Sequence, residues 1–88
     1  MIRRRVVAHG FVQGVFFRET ARRRAEGAGV AGWVRNNRDG TVEAVFEGDP
    51  DAVERLIRFM HEGPSGARVD RVEVVVEDPE GLAGFSTH

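Results

Sequence analysis

The sequence predicts an α+β sandwich, with two helices on one face of a mostly antiparallel sheet of four to five strands. Three observations predict it. Apolar residues alternate in four segments and recur at helical spacing in two others, in the order β-α-β-β-α-β. Asp39-Gly40 is a hairpin signal between the two middle strands. Asp49-Pro50 and Gly63-Pro64 bracket the second apolar helix as a start and a stop.

Each element follows from its residues. In segment 2–9, Ile2, Val6 and Ala8 share one face, with Arg3 and Arg5 on the other, as in a half-buried strand. Gly10 to Val15 reads as a loop. In segment 16–28, Phe17, Ala21, Ala25 and Ala28 recur at helical spacing, Glu19 can pair with Arg23, and Gly27 and Gly29 mark the end. "VAGWVRNN" is a second strand, with Trp33 and Arg35 on one face and Val34 and Asn36 on the other. "TVEAVFEG" sets Val42, Ala44 and Phe46 against Glu43 and Glu47, making a third strand.

Asp49 is placed to cap the second helix, whose stripe is Val53, Leu56, Ile57 and Met60. "RVDRVEVVVED" is a fourth strand, with Val72, Val74 and Val76 expected to face inward. "LAGFSTH" adds a short last strand near an edge. This is the ferredoxin-like βαββαβ pattern, which hosts many functions and decides none by itself.

Eighty-eight residues make one domain, expected to span 1–88. With 41% apolar and 31% charged residues it reads as a globular chain rather than a disordered one. The absence of cysteine excludes a disulfide framework, a thiolate zinc site and a cysteine nucleophile. His9, His61 and His88 lack ligand spacing, so no metal is expected. "MIRRRVVAHG" lacks the apolar core of a signal peptide, and no apolar run approaches a membrane span. The expectation is a cytoplasmic protein without a membrane partner, acting as a monomer.

The net charge of −1 is unevenly spread. Residues 1–38 hold nine arginines and two glutamates, while residues 39–88 hold four arginines and twelve acids. The first half therefore looks suited to an anion. All thirteen cationic residues are arginine, whose planar fork grips carboxylate or phosphate in two places. A composition bias explains the preference as a whole, and the clusters at 3–5 and 22–24 read as solvated surface.

Two stretches stand out. "GFVQGVFFR" runs from a strand end into a helix start, where the first N–H groups lack intrahelical partners and sit at the positive pole. Glycines there let successive N–H groups converge on a phosphate or carboxylate, and Arg18 in the first turn can fold over the same anion. A plain turn with a solvated arginine stays open as the simpler reading. A P-loop does not fit, because Val15-Phe16 rather than Lys-Ser/Thr follows Gly14. In "GWVRNNRDG", Asn36 and Asn37 are either both turn formers, or one of the amides, carrying both a donor and an acceptor, orients a water beside an anion.

Taken together, the stretches resemble the acylphosphatase family. "GFVQGVFFR" fits the signature G-x-V-Q-G-V-x-F-R from Gly10 to Arg18, and "GWVRNNRDGTVEAVFEG" fits G-W-V-x-N-x-x-x-G-x-V-x-x-x-x-x-G from Gly32 to Gly48. Length and element order extend the likeness over essentially the whole chain. The resemblance implies hydrolysis of the carboxyl–phosphate anhydride of small acyl phosphates, without metal or organic cofactor. It implies that main-chain N–H groups of Phe11, Val12, Gln13, Gly14 and Val15 cradle the phosphoryl oxygens. Arg18 would clamp the same group, and Asn36 would hold the attacking water. The role of Asn37 and the physiological acyl group are not readable.

Two other classes fit the fold. A non-catalytic ferredoxin-like module could grip an anion or nucleic acid, but RNA-binding sheets display stacking aromatics and a basic surface, and this chain has one Trp, no Tyr and a net charge of −1. A domain serving a larger carbamoyl-transfer enzyme would normally be fused to more chain.

Overall fold

The computed structural model describes residues 1–88. The chain runs β1 (Ile2–Phe11), α1 (Phe17–Gly27), β2 (Ala31–Asn36), β3 (Val42–Gly48), α2 (Pro50–Glu62), β4 (Arg68–Glu77) and β5 (Phe85–Thr87). The five strands form one sheet in the order β4-β1-β3-β2-β5. Three neighbouring pairs are antiparallel, and only β2 with β5 is parallel. Both helices cover one face, as expected.

Alternation sets that face. Val6 and Ala8 of β1, Val34 of β2, and Val42, Ala44 and Phe46 of β3 are buried beneath the helices. α1 contributes Phe17, Ala21 and Ala25. α2 contributes the expected stripe plus Ala52 and Phe59. Each large apolar side chain fully buried there contributes about 1.5–3 kcal/mol. Phe17 and Phe59 join the helices with ring centroids 5.4 Å apart. Phe46 stacks on Phe85 at 5.8 Å and fastens β5 to the core. The helix ends obey their local signals: the Asp49 carboxylate accepts from the Asp51 N–H, Pro50 is the first helical residue, and Gly63 ends α2.

Several expectations need correction. Val74 and Val76 do point to the helix face, opposite Val6 and Arg4, but they are 44% and 72% exposed. β4 is an outer strand, and only its Val69 and Val72 pack against the core. Glu19 pairs with Arg22, not Arg23, and Arg22 also holds Glu26. β1 extends through Phe11, so the loop starts at Val12 rather than Gly10.

The second face of the sheet is not simply solvated. Arg3, Glu43 and Glu47 are buried, and so is Val45, flanked in register by Arg5 and Trp33. Arg3 donates to Glu47 at 2.7 Å and to Glu77 at 2.8 Å. Arg5 donates to Glu43 and Glu77. The charge asymmetry along the chain is thus spent in part within the fold: Arg3 and Arg5 of β1 pair with acids of β3 and β4 on either side. Arg3 therefore leaves the group expected to be surface.

Glu47 ties this face to the end of the chain. Its carboxylate accepts from Arg3 and from the main-chain N–H groups of Glu80, Gly81 and Leu82. Burial pushes its pKa up, but the Glu80 N–H, the Arg3 guanidinium and the other two N–H groups outweigh burial and bring it to about 2. Val45, an apolar residue between Glu43 and Glu47 on the polar face of β3, is buried by the same cover.

Candidate active site

The site begins with an irregularity in the pairing of β1 with β4. The register against β4 shifts between His9 and Gly10. Gly10 has φ +133°, and a Cβ there would lie 2.2 Å from the Arg68 carbonyl oxygen. The extra residue is Asp70 of β4, and only glycine fits opposite it, where the β4 backbone comes this close; β1 stays paired through Phe11 before the chain leaves the sheet. Val12 is buried and anchors the loop that follows. Gly14, at φ 76°, then bends it toward α1.

Phe16 precedes α1 with φ 63°, and no side chain caps the helix start. The first N–H groups of α1 therefore lack side-chain partners at the pole that attracts anions. Between this loop and the end of β2 lies a cleft of about 430 Å³. Val12, Gly14 and Arg18 line it from the loop and α1, Asn36 lines it from β2, and Thr87 lines it from β5. Phe16, Phe17 and Glu19 complete the wall.

The two side chains singled out by sequence, Arg18 and Asn36, thus meet at one cleft although they lie eighteen positions apart in sequence. Arg18 is exposed, and its Nη1 donates to a main-chain oxygen of His88 at 2.7 Å. That bond orients the guanidinium and leaves its remaining N–H donors. Glu19 is occupied elsewhere: both its carboxylate oxygens accept from Arg22. No histidine lines the cleft.

Of the five expected cradle residues, Val12 and Gly14 line the cleft. Phe11 is the last residue of β1, in register with Arg68, and is 55% exposed. Gln13 and Val15 alternate with them and are half-buried. The Gln13 side chain does something the sequence did not suggest. Its Nε2 donates to the main-chain oxygens of Asn37 and Thr41, at 2.8 and 3.0 Å.

The paired asparagines separate cleanly. Asn36 ends β2 and faces the cleft. Asn37 belongs to the turn: its Nδ2 donates to Thr41 Oγ1 and Glu43 Oε1, each at 3.0 Å, and its Oδ1 accepts from Arg35 Nε. Glu43 is held below its ordinary pKa because the bonds from Asn37, Arg5 and Arg35 overcome the opposing effect of burial. Phe16, Thr87 and the Gln13 amide were missed from sequence. A glutamine set among apolar and glycine residues in a loop was the available signal for Gln13.

The family model for acylphosphatase matches residues 4–87. The chain belongs to the acylphosphatase family. It is 60% identical over 86 residues to an acylphosphatase of Thermococcus kodakarensis, covering 93% of this chain and 94% of that relative. The crystal structure of acylphosphatase from Bacillus subtilis superposes with a TM-score of 0.95 at 32% identity, covering 100% of this chain and 99% of the other. A full-length HypF in phosphate- and nucleotide-bound form also matches, with a TM-score of 0.88 at 29% identity. There this fold covers 100% of the present chain but 12% of the HypF chain. The Thermococcus kodakarensis and Bacillus subtilis acylphosphatases, by contrast, are matched over 94% and 99% of their own length. No helix is long and apolar enough to cross a membrane.

Proposed function

We propose that this family member hydrolyses small acyl phosphates to a carboxylate and inorganic phosphate by positioning and charge stabilisation, with Arg18 and Asn36 as its working side chains. The main-chain N–H groups of the loop from Phe11 to Val15 hold the phosphoryl oxygens, and Arg18 clamps the same group. Asn36 orients a water in line with the scissile bond. The water oxygen forms the new bond to phosphorus as the bond to the acyl oxygen breaks. The bonding pair leaves with the carboxylate, and the water proton passes to a phosphoryl oxygen.

A stabilised carboxylate is a good leaving group, so no strong base is required. Orientation and stabilisation of the phosphoryl charge are the main terms in such transfers. The single observation that carries this reading is the convergence of Arg18, Asn36 and the glycine-bearing loop on one cleft. The reading keeps the monomer and the cytoplasmic location expected from sequence.

The test is the hydrolysis rate of acetyl phosphate, with and without EDTA, for wild type and Asn36→Ala. The expected outcome is metal-independent turnover whose kcat collapses in Asn36→Ala while substrate binding is largely kept. A large rise in KM with kcat unchanged would make Asn36 a binding residue. No turnover by folded wild type would leave the loop as an anion-binding site.

A further inference from the structure

Phe16 is the one residue other than glycine with a positive φ, at 63°. A left-handed backbone at a residue with a Cβ costs about 1–2 kcal/mol. Burial does not offset that cost here, because Phe16 is 81% exposed, the most exposed large apolar side chain of the molecule. Phe17, the next residue, is buried against Phe59 and supplies the core contact for this end of α1. Strain held at an exposed residue beside a site points to a function for that residue.

The location narrows the function. Phe16 lines the cleft together with Arg18 and Asn36, whereas the exposed valines Val74, Val75 and Val76 lie on the outer strand β4, and none of them lines the cleft. On the reading given above, loop and Arg18 take the phosphoryl end of the substrate. The acyl end then has to occupy the rest of the cleft. There the large exposed apolar surface is the Phe16 ring, since Val12 and Phe17 are almost wholly buried. An aromatic ring offers a flat acyl group offset or edge-on contact.

We propose that Phe16 is the acyl-recognition residue of this cleft, and that it gives the enzyme a preference for acyl phosphates bearing aromatic or flat apolar acyl groups. The inference rests on the hydrolase reading and adds the substrate class. The left-handed backbone is what turns this ring outward at the cleft, while Phe17 turns inward.

The experiment compares kcat/KM for benzoyl phosphate and acetyl phosphate in wild type, Phe16→Ala, Phe16→Gly and Phe16→Tyr. Intrinsic reactivity differences between the two anhydrides cancel when the benzoyl-to-acetyl ratio of each variant is divided by that of wild type. We expect the ratio to fall about tenfold in the alanine and glycine variants, on the scale of one aromatic contact, through KM for benzoyl phosphate. Tyr should restore it. Phe16→Gly should melt no lower than Phe16→Ala, because glycine relieves the left-handed strain. A ratio unchanged in both small variants overturns the proposal while the hydrolase reading stands. Wild type that cleaves neither anhydride overturns both.

Discussion

Gln13 spans the gap between the loop and the β2–β3 turn, donating from one Nε2 to the main-chain oxygens of Asn37 and Thr41. Asn37 directly follows Asn36. The amide therefore sets the spacing between the proposed phosphate loop and the residue proposed to hold the water. Gln13→Ala should leave two main-chain oxygens without this donor and free the loop. We expect a stability loss of about 1–2 kcal/mol and a fall in kcat of roughly tenfold or more, as misplacement by about 1 Å can cost far more than its contact energy. Thermal melts and acetyl phosphate kinetics report the two effects. A kcat within twofold of wild type would show that the loop holds its shape without the amide.

Arg18 is the only arginine at the cleft. Arg18→Ala should lower kcat/KM by about 10²-fold or more, the scale of removing one preorganised charge stabiliser, and weaken inhibition by inorganic phosphate. Arg18→Lys should recover only part, since an ammonium cannot reproduce the planar fork. Phosphate inhibition equal to wild type in the alanine variant would remove Arg18 from the anion site.

Glu47 makes the fold acid-sensitive. Its pKa falls from an ordinary 4.5 to about 2 in the native state, so the unfolded chain takes up the proton first. Its contribution is full above about pH 4.5 and is lost as pH falls through about 2. Glu47→Gln removes one partner of a buried ion pair and should cost about 2–3 kcal/mol at pH 7. Urea unfolding at pH 7 and at pH 3 should show the gap between wild type and variant narrowing in acid. A gap that stays constant would mean that the carboxylate charge is not the stabilising feature.

Gly10→Ala should be among the most damaging substitutions away from the hydrophobic core. Its new Cβ would meet the Arg68 carbonyl oxygen at 2.2 Å, with φ in a region that alanine avoids. A loss of about 3 kcal/mol or more is expected, read by chemical denaturation. Gly14 faces open space on the Cβ side, so Gly14→Ala should meet only the conformational cost of its φ. Equal stability of the two alanine variants would show that the bulge relaxes around an added methyl.

The element order, the helix stops and the meeting of Arg18 with Asn36 were legible because they depend on local periodicity, capping and a spaced motif. What escaped depends on neighbours distant in sequence. Val74 and Val76 alternate as core residues do, yet β4 lies at the sheet edge, a fact set by strand order. Arg3 and Glu47 read as solvent-facing because nothing local announces that Glu77 and residues 80–82 close over them. The role of Asn37 escaped because it depends on Thr41, Glu43 and Arg35, which bond its amide in the turn just beyond β2.

β1 is hydrogen-bonded on one side to β3 and on the other to β4, so Arg3 pairs in register with both Glu47 and Glu77. The first strand of the chain thus waits for one of the last. Pairings this far apart in sequence carry a large loop-closure cost and slow the search for the native state. Since the phosphate loop springs directly from the end of β1, the cleft has no early, independently stable fragment to grow on. In refolding, activity should return with the slowest global phase, with no partly folded species able to turn over substrate ahead of it.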